Sequence, residues 1–180
     1  MMAPNNQTAL DAVHQFVGKY FSEWLRQPIK LTRIDSTTLR NWSETWRLNN
    51  PREPPNGGWD WIVKKQYRDQ HYPAARWFEV AVWHQNDLCG LSLGHLSRDS
   101  SHLVIHYLEG SPLVTHPLKG YVLKIILETG LEYAKLVGKR YLILKDPVTG
   151  LIDTYQKLGF NFKQKGLFHR VSYCEKEVLR

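Results

Sequence analysis

Cysteine is scarce: Cys89 and Cys174 are the only two among 180 residues. Neither stands in a C-x-x-C pair, so a disulfide framework is excluded and no metal site is expected. Long apolar runs are missing as well. No stretch approaches the roughly 18–20 residues that a bilayer-spanning helix needs, so no membrane partner is expected. Met1–Leu10 is polar and has no basic region leading into an apolar one; no secretory signal is expected, and a reducing, cytoplasmic setting is. There is no internal repeat, no low-complexity tract and no linker long enough to split the chain. Nor does any Lys/Arg run interleave with aromatics in the manner of a dedicated RNA-binding face.

What is present is an ordinary folding composition, 42% hydrophobic and 23% charged, far from the disordered regime. The length suits one domain with a sizeable core. Residues 1–28 read as a helical arm docked on a single domain of residues 29–180. The formal net charge of +7 favours acidic partners: nucleic acid, an anionic cofactor or an acidic protein.

Along the chain, Thr8 with Asp11 resembles a helix-capping pair. Val13, Phe16, Val17, Tyr20, Phe21, Trp24 and Leu25 then recur at helical spacing, and Pro28 ends the helix. Ile29–Ile34 reads as a short strand, and Asp35 or Ser36 caps a helix running to about Leu48. Residues 49–58, with three prolines and two glycines, make a loop. A short helix follows from Trp59 to about Arg68. Trp77–Trp83, Leu88–Leu96 and Leu103–Leu108 form an antiparallel meander. The spacing of Leu118, Val122, Ile125, Ile126, Thr129, Tyr133 and Val137 predicts a helix, stopped by Gly138. Tyr141–Leu144 reads as a buried, parallel-type strand. A short helix from about Thr149 to Leu158 leads into closing strands around Phe160–Lys163 and Leu167–Tyr173.

The order strand, strand, strand, long helix, strand, short helix, strand resembles the core of the GNAT superfamily of N-acetyltransferases. The sharpest local match is Tyr155-Gln156-Lys157-Leu158-Gly159-Phe160, similar to a late family signature, Tyr-x-Lys-x-Gly-Phe. Read physically, Gly159 supplies a left-handed turn after the helix and Phe160 plugs the core. The resemblance covers roughly Ile29 to Tyr173. It implies an α/β (α+β) fold with a mixed, mostly antiparallel central sheet flanked by helices, carrying here an extra N-terminal amphipathic helix.

The resemblance also implies acetyl-CoA, or another acyl-CoA, as the donor and an amine as acceptor. In the family the pantetheine arm enters a gap between the fourth and fifth strands, and the pyrophosphate rests on amides at the start of the next helix. The corresponding stretch is Val114 to Val122, which places Leu108, Thr115, His116, Leu118, Lys119, Gly120, Tyr121 and Val122 around the cofactor. Against the signature Arg/Gln-x-x-Gly-x-Gly/Ala, Gly120 fits the first glycine. Pro117 stands in the Arg/Gln place and Val122 in the second small-residue place, with Lys119 and Lys124 supplying charge. Asp146 follows the fifth strand, and Val148 stands where relatives carry Asn.

Acyl transfer to an amine needs a base for the amine and an acid for the departing thiolate. Tyr155 matches the family position of the acid. Glu109, at the end of the fourth strand, is the first candidate for the base. His106 and His102 are its substitutes, alternating with Ile105 and Tyr107 on the other face. Trp42, Trp46, Trp59, Trp61, Trp77 and Trp83 crowd the half that shapes the acceptor pocket in the family. Trp59 and Trp61, behind the hinge-like Gly57-Gly58, are the candidates for substrate contact.

The acceptor is open among a small molecule, a protein amine and an aminoacyl-tRNA. A single stripe made of Lys19, Arg26, Lys30, Arg33, Lys64, Lys65 and Arg68 would favour the last. A second reading is a catalytically silent module of the same fold that binds a protein or nucleic acid. With either reading, the Thr8–Leu25 arm could form a homodimer.

Overall fold

The structure is a computed structural model that describes residues 6–167 and 170–179. Its elements are α1 (Asn6–Leu25), β1 (Ile29–Thr32), α2 (Ser36–Thr45), α3 (Trp61–His71), β2 (Trp77–His84), β3 (Asp87–Leu96), β4 (His102–Gly110), α4 (Val122–Leu136), β5 (Tyr141–Lys145), α5 (Ile152–Lys157), β6 (Asn161–Lys163) and β7 (Tyr173–Glu177). The seven strands form one sheet in the order β1-β2-β3-β4-β5-β7-β6. All neighbours are antiparallel except β4 and β5.

Two layers cover the sheet. α1 and α4 lie on one face, over Phe78, Val80, Val82, Leu103, Ile105 and Leu142. α2 and α3 lie on the other, where Trp42, Trp46 and Trp61 pack on Ala81, Leu91 and Leu93. The tryptophans of this half are therefore mainly core. Each helix here starts on an aspartate: Asp35 accepts from the Thr38 amide and Asp60 from the Val63 amide, a satisfied N-cap in both cases.

α1 starts at Asn6, so Thr8 lies inside it rather than at its cap. Its buried stripe is Ala9, Leu10, Val13, Val17 and Phe21, whereas Phe16, Tyr20 and Trp24 are half-exposed or more. The aromatic row expected to dock lies one helical step off the buried stripe. α4 begins at Val122 and not at Leu118, because Gly120 takes a left-handed turn with φ of 86° just before it. The last strand is also displaced. β7 begins only at Tyr173, and Leu167 is fully exposed; residues 168–169 lie outside the described part. The ladder with β5, Tyr141↔Glu177 through Lys145↔Tyr173, fixes β7 on a charged segment that carries little strand signal of its own.

Two features of the sheet build the site. First, β5 pairs with β4 only from His102↔Tyr141 to Ile105↔Leu144, while β4 runs on to Gly110. The two strands then part. Second, Leu93 pairs with Tyr107 and Gly94 with Ile105, so His106 is an extra residue, a β-bulge in β4. Only glycine fits opposite it, since a Cβ at Gly94 would strike the Val104 carbonyl. The bulge reverses the alternation. Ile105 packs towards α4 but Tyr107 packs towards α3, which corrects the expectation that they share a face.

Candidate active site

Where β4 and β5 part, a cleft of about 450 Å³ opens between β4, the start of α4 and α5. Leu108, His116, Lys119, Gly120 and Val122 line it, as expected, together with Arg52, Pro55, Leu123, Val148 and Leu151. Tyr155 lines this cleft and also the narrower space beyond it, which His106, Tyr107, Lys145, Asp146 and Trp59 surround. Tyr155 is thus the residue of α5 shared by both compartments. It is almost wholly buried, and burial pushes its hydroxyl up to about 12. The group stays protonated throughout the physiological range. Gly159 takes the left-handed turn after α5, with φ of 86°.

At the cleft's other end the first turn of α4 has no side-chain cap. Free amides and the positive helix end face a basic surround. His116 has a buried Nδ1 without a partner; burial and the neighbouring Lys119 and Arg52 depress its proton affinity. The bulk of Val122 does not fill this space. Its side chain turns onto β3 and β4, and a Cβ at Gly90 would fall inside the contact shell of Val122 Cγ1.

Several expected cofactor contacts lie elsewhere. Leu118 is fully buried in the α4-side core. Tyr121 turns away to pack edge-on against Trp24, with ring centroids 5.9 Å apart. Thr115 is exposed on the approach loop and outside the cleft lining. The loop before α4 takes turns rather than helix, so its side chains do not follow the helical spacing assumed for them.

Glu109 is neither a free carboxylate nor a solvated one. It is 2% exposed and holds four donors. Oε1 accepts from Asn50 Nδ2 (2.8 Å), Arg52 (3.1 Å) and the Gly58 amide (2.7 Å), and Oε2 accepts from Trp61 Nε1 (2.8 Å). Arg52 also donates to the Gly110 carbonyl at 2.6 Å. With its lone pairs so engaged, Glu109 fastens the 50–61 segment across the gap, where Pro55 borders both compartments. Trp61, expected to touch substrate, has no exposed surface and serves this fastening instead. Trp59 does border the inner space. It packs edge-on with Tyr107 at 5.0 Å, and the Lys64 ammonium sits over both rings at 5.1 and 4.8 Å.

His106, the bulged residue, is the first of β4 beyond the last β5 pair. Its Nε2 lies 2.7 Å from His95 Nδ1, and Tyr72 stacks on His95 at 3.8 Å. Burial, then Lys145, pulls His106 down to about 4; burial, then His106 itself, pulls His95 down to about 3. Both rings are neutral at pH 7. His102 is held at the far end of β4 beside Ser101 Oγ, at 2.6 Å, and does not line the gap. Arg52 and His95 carried no sequence signal, since only the folded loop and the bulged register bring them to the site.

Of the seven basic residues named for a stripe, four are engaged in ion pairs. Lys19, Arg33, Lys65 and Arg68 are paired with Glu23, Asp11, Asp69 and Glu79 respectively, and Arg68 is buried. No group of three or more metal-ligating side chains occurs among the described residues, and no helix there is long and apolar enough to cross a membrane.

The sheet order, the parting of parallel strands β4 and β5 and the helix that follows β4 are those of the GNAT N-acetyltransferase fold, and this chain has that fold. Among the solved structures it resembles are the ribosomal-protein-S18-alanine N-acetyltransferase of Escherichia coli (13% identity, TM-score 0.57, covering 84% of this chain and 95% of that one) and an acetyltransferase of the GNAT family from Streptococcus pneumoniae (10%, 0.55, 84% and 99%). An N-acetyltransferase from Staphylococcus aureus is similar at 9% identity and TM-score 0.55, with 84% and 99% covered. No family model matches the sequence, and no curated protein matches it.

Proposed function

We propose that this protein is an acyl-CoA-dependent N-acyltransferase that moves an acetyl group to an amine. The observation that carries the reading is the single cleft running from a basic, uncapped helix start to a buried tyrosine hydroxyl at the strand gap. Each part fits acetyl-CoA. Lys119, Arg52 and the unpartnered Nδ1 of His116 suit phosphate oxygens, and the α4 amides add the helix-end field that favours a dianion. Pro117 removes one amide from the approach loop, but the α4 amides remain. The inward turn of Val122 leaves room for the arm.

In the reaction the amine nitrogen attacks the thioester carbonyl carbon and the carbon–sulfur bond breaks. His106 takes the amine's proton, and Tyr155 gives its hydroxyl proton to the departing sulfur. Proton return from His106 to the tyrosine through water restores both groups. The acceptor enters from the side of Trp59 and Tyr107, whose rings already hold the Lys64 ammonium, so an amine is a suitable guest there. A small molecule, a protein amine and an aminoacyl-tRNA all present such a group, and the pairing of the basic residues gives the tRNA no special support.

The test is calorimetric titration with acetyl-CoA, followed by steady-state kinetics on an amine panel. Micromolar binding, about −8 kcal/mol, should weaken roughly tenfold in Lys119→Ala, as for one lost charged contact. Tyr155→Phe should lower kcat by about 10²-fold and leave acetyl-CoA affinity unchanged. Absence of binding would overturn the enzyme reading in favour of a silent module of the same fold.

A further inference from the structure

The His95–His106 pair has a geometry that a chance contact between two rings does not require. The rings are 18° from coplanar with centroids 4.8 Å apart, the arrangement of two imidazoles joined edge to edge by one N–H···N bond, here 2.7 Å between His95 Nδ1 and His106 Nε2. His95 is itself clamped from one side, since the Tyr72 ring lies on it at 3.8 Å and 19°. Tyr72 is in turn the C-cap of α3. The orientation of His106 therefore derives from α3 through two stacked or bonded rings.

A neutral imidazole has one N–H and one lone pair, and the bond made by one nitrogen decides the state of the other. With Nε2 engaged by His95, Nδ1 is the nitrogen of His106 left for another partner, and the residue borders the inner space. The groups whose charge acts on the pair are Lys145 from β5, Arg76 from the turn before β2 and His102 on β4, with Tyr72 stacked on His95; Asp146 borders the same inner space without a hydrogen bond to either ring. Among the described residues the partner of His106 Nε2 is His95 Nδ1, not a carboxylate.

Resting on the reading in which His106 accepts the amine's proton, we propose that His95 is a positioning residue that holds His106 as the Nε2–H tautomer. His106 Nε2–H donates to His95 Nδ1, and the lone pair of His106 Nδ1 faces the incoming amine. On proton transfer the N–H bond of the amine breaks and an Nδ1–H bond forms. The resulting imidazolium keeps its hydrogen bond to His95.

The test is the nitrogen NMR tautomer pattern of His106 in the free protein, which needs neither acceptor nor turnover, combined with kinetics. Wild type should show the Nε2–H form alone. His95→Phe, which keeps the stack on Tyr72 but cannot accept, should show mixed tautomers and a kcat lowered about tenfold, the weight of one hydrogen bond, with KM for acetyl-CoA unchanged. His95→Asn, whose Oδ1 stands near the place of Nδ1, should restore the single tautomer and most of the rate. A His106 found as Nδ1–H in wild type, or unchanged in His95→Phe, overturns the assignment of His95. The expected tautomers in a protein whose turnover survives His106→Gln would instead overturn the role of His106 and leave the positioning bond standing.

Discussion

Replacing Glu109 by glutamine separates its two candidate roles, because the four donors around its carboxylate respond differently to an amide. A glutamine can keep its oxygen towards Asn50, Arg52 and Gly58, but then its NH₂ faces the indole N–H of Trp61. Two donors then confront each other at a site where Trp61 has no exposed surface. An unsatisfied buried donor costs about 1–3 kcal/mol. Loss of the charge opposite Arg52 adds about 1 kcal/mol, kept low because the arginine is about one-third exposed. The sum is about 3 kcal/mol, or a fall in Tm of roughly 6–12 °C for a chain of this size. Urea unfolding followed by tryptophan fluorescence measures the loss. The Trp61 indole proton in NMR spectra reports its cause through faster exchange and a shift. A loss under about 1 kcal/mol with an unmoved indole signal would refute the fastening role. A spare catalytic base predicts that pattern instead: full stability with abolished turnover.

Packing at the start of α4 gives a second expectation. Gly90→Ala overpacks against Val122 Cγ1 and should cost about 2 kcal/mol. Combined with Val122→Ala it should cost well under the sum of the two single changes in a denaturation cycle. A third concerns His14, buried between α1 and the sheet with Nε2 3.0 Å from the Glu79 carbonyl. Burial lowers it from 6.5 to about 4, so the unfolded chain takes up the proton first and stability falls as pH drops. The unfolding free energy of wild type relative to His14→Gln should be constant above pH 7. It should shrink by about 3 kcal/mol between pH 6.5 and pH 4; a flat difference across that window would contradict the buried neutral histidine.

The parts of the fold legible in the sequence are those governed by local pattern. The meander was marked by polar turns between apolar runs, α4 by its 3.6-residue stripe, and the turn after α5 by Gly159. The lining of the cleft beside α4 was legible too, because His116, Lys119, Gly120 and Val122 lie close together in the chain. What escaped the sequence depends on distant partners. Glu109 looked free because its four donors come from residues 50 to 61. Leu118 and Tyr121 were misplaced because the left-handed turn at Gly120 interrupts the helical spacing. Phe16, Tyr20 and Trp24 match the apolar period as well as their buried neighbours do, and only the site of docking on β1 and α4 separates the two rows. β7 is drawn from Tyr173-Cys174-Glu175-Lys176-Glu177 by its ladder partners alone.

The bulge at His106 acts on β4 as a shift of reading frame acts on a message. Up to Ile105 the strand is written in one parity, its odd residues going to the α4 layer; beyond His106 the odd residues Tyr107 and Glu109 go to the α3 layer, and Leu108 is handed to the cleft beside α4. One short strand thereby serves two clients in succession, and the junction between them is the residue beside the gap. Removing that single residue would make Ile105 and Tyr107 neighbours on opposite faces, so Tyr107 and Glu109 would keep their partners on β3 and their layer, and the strand would lose only the ring it presents beside the gap.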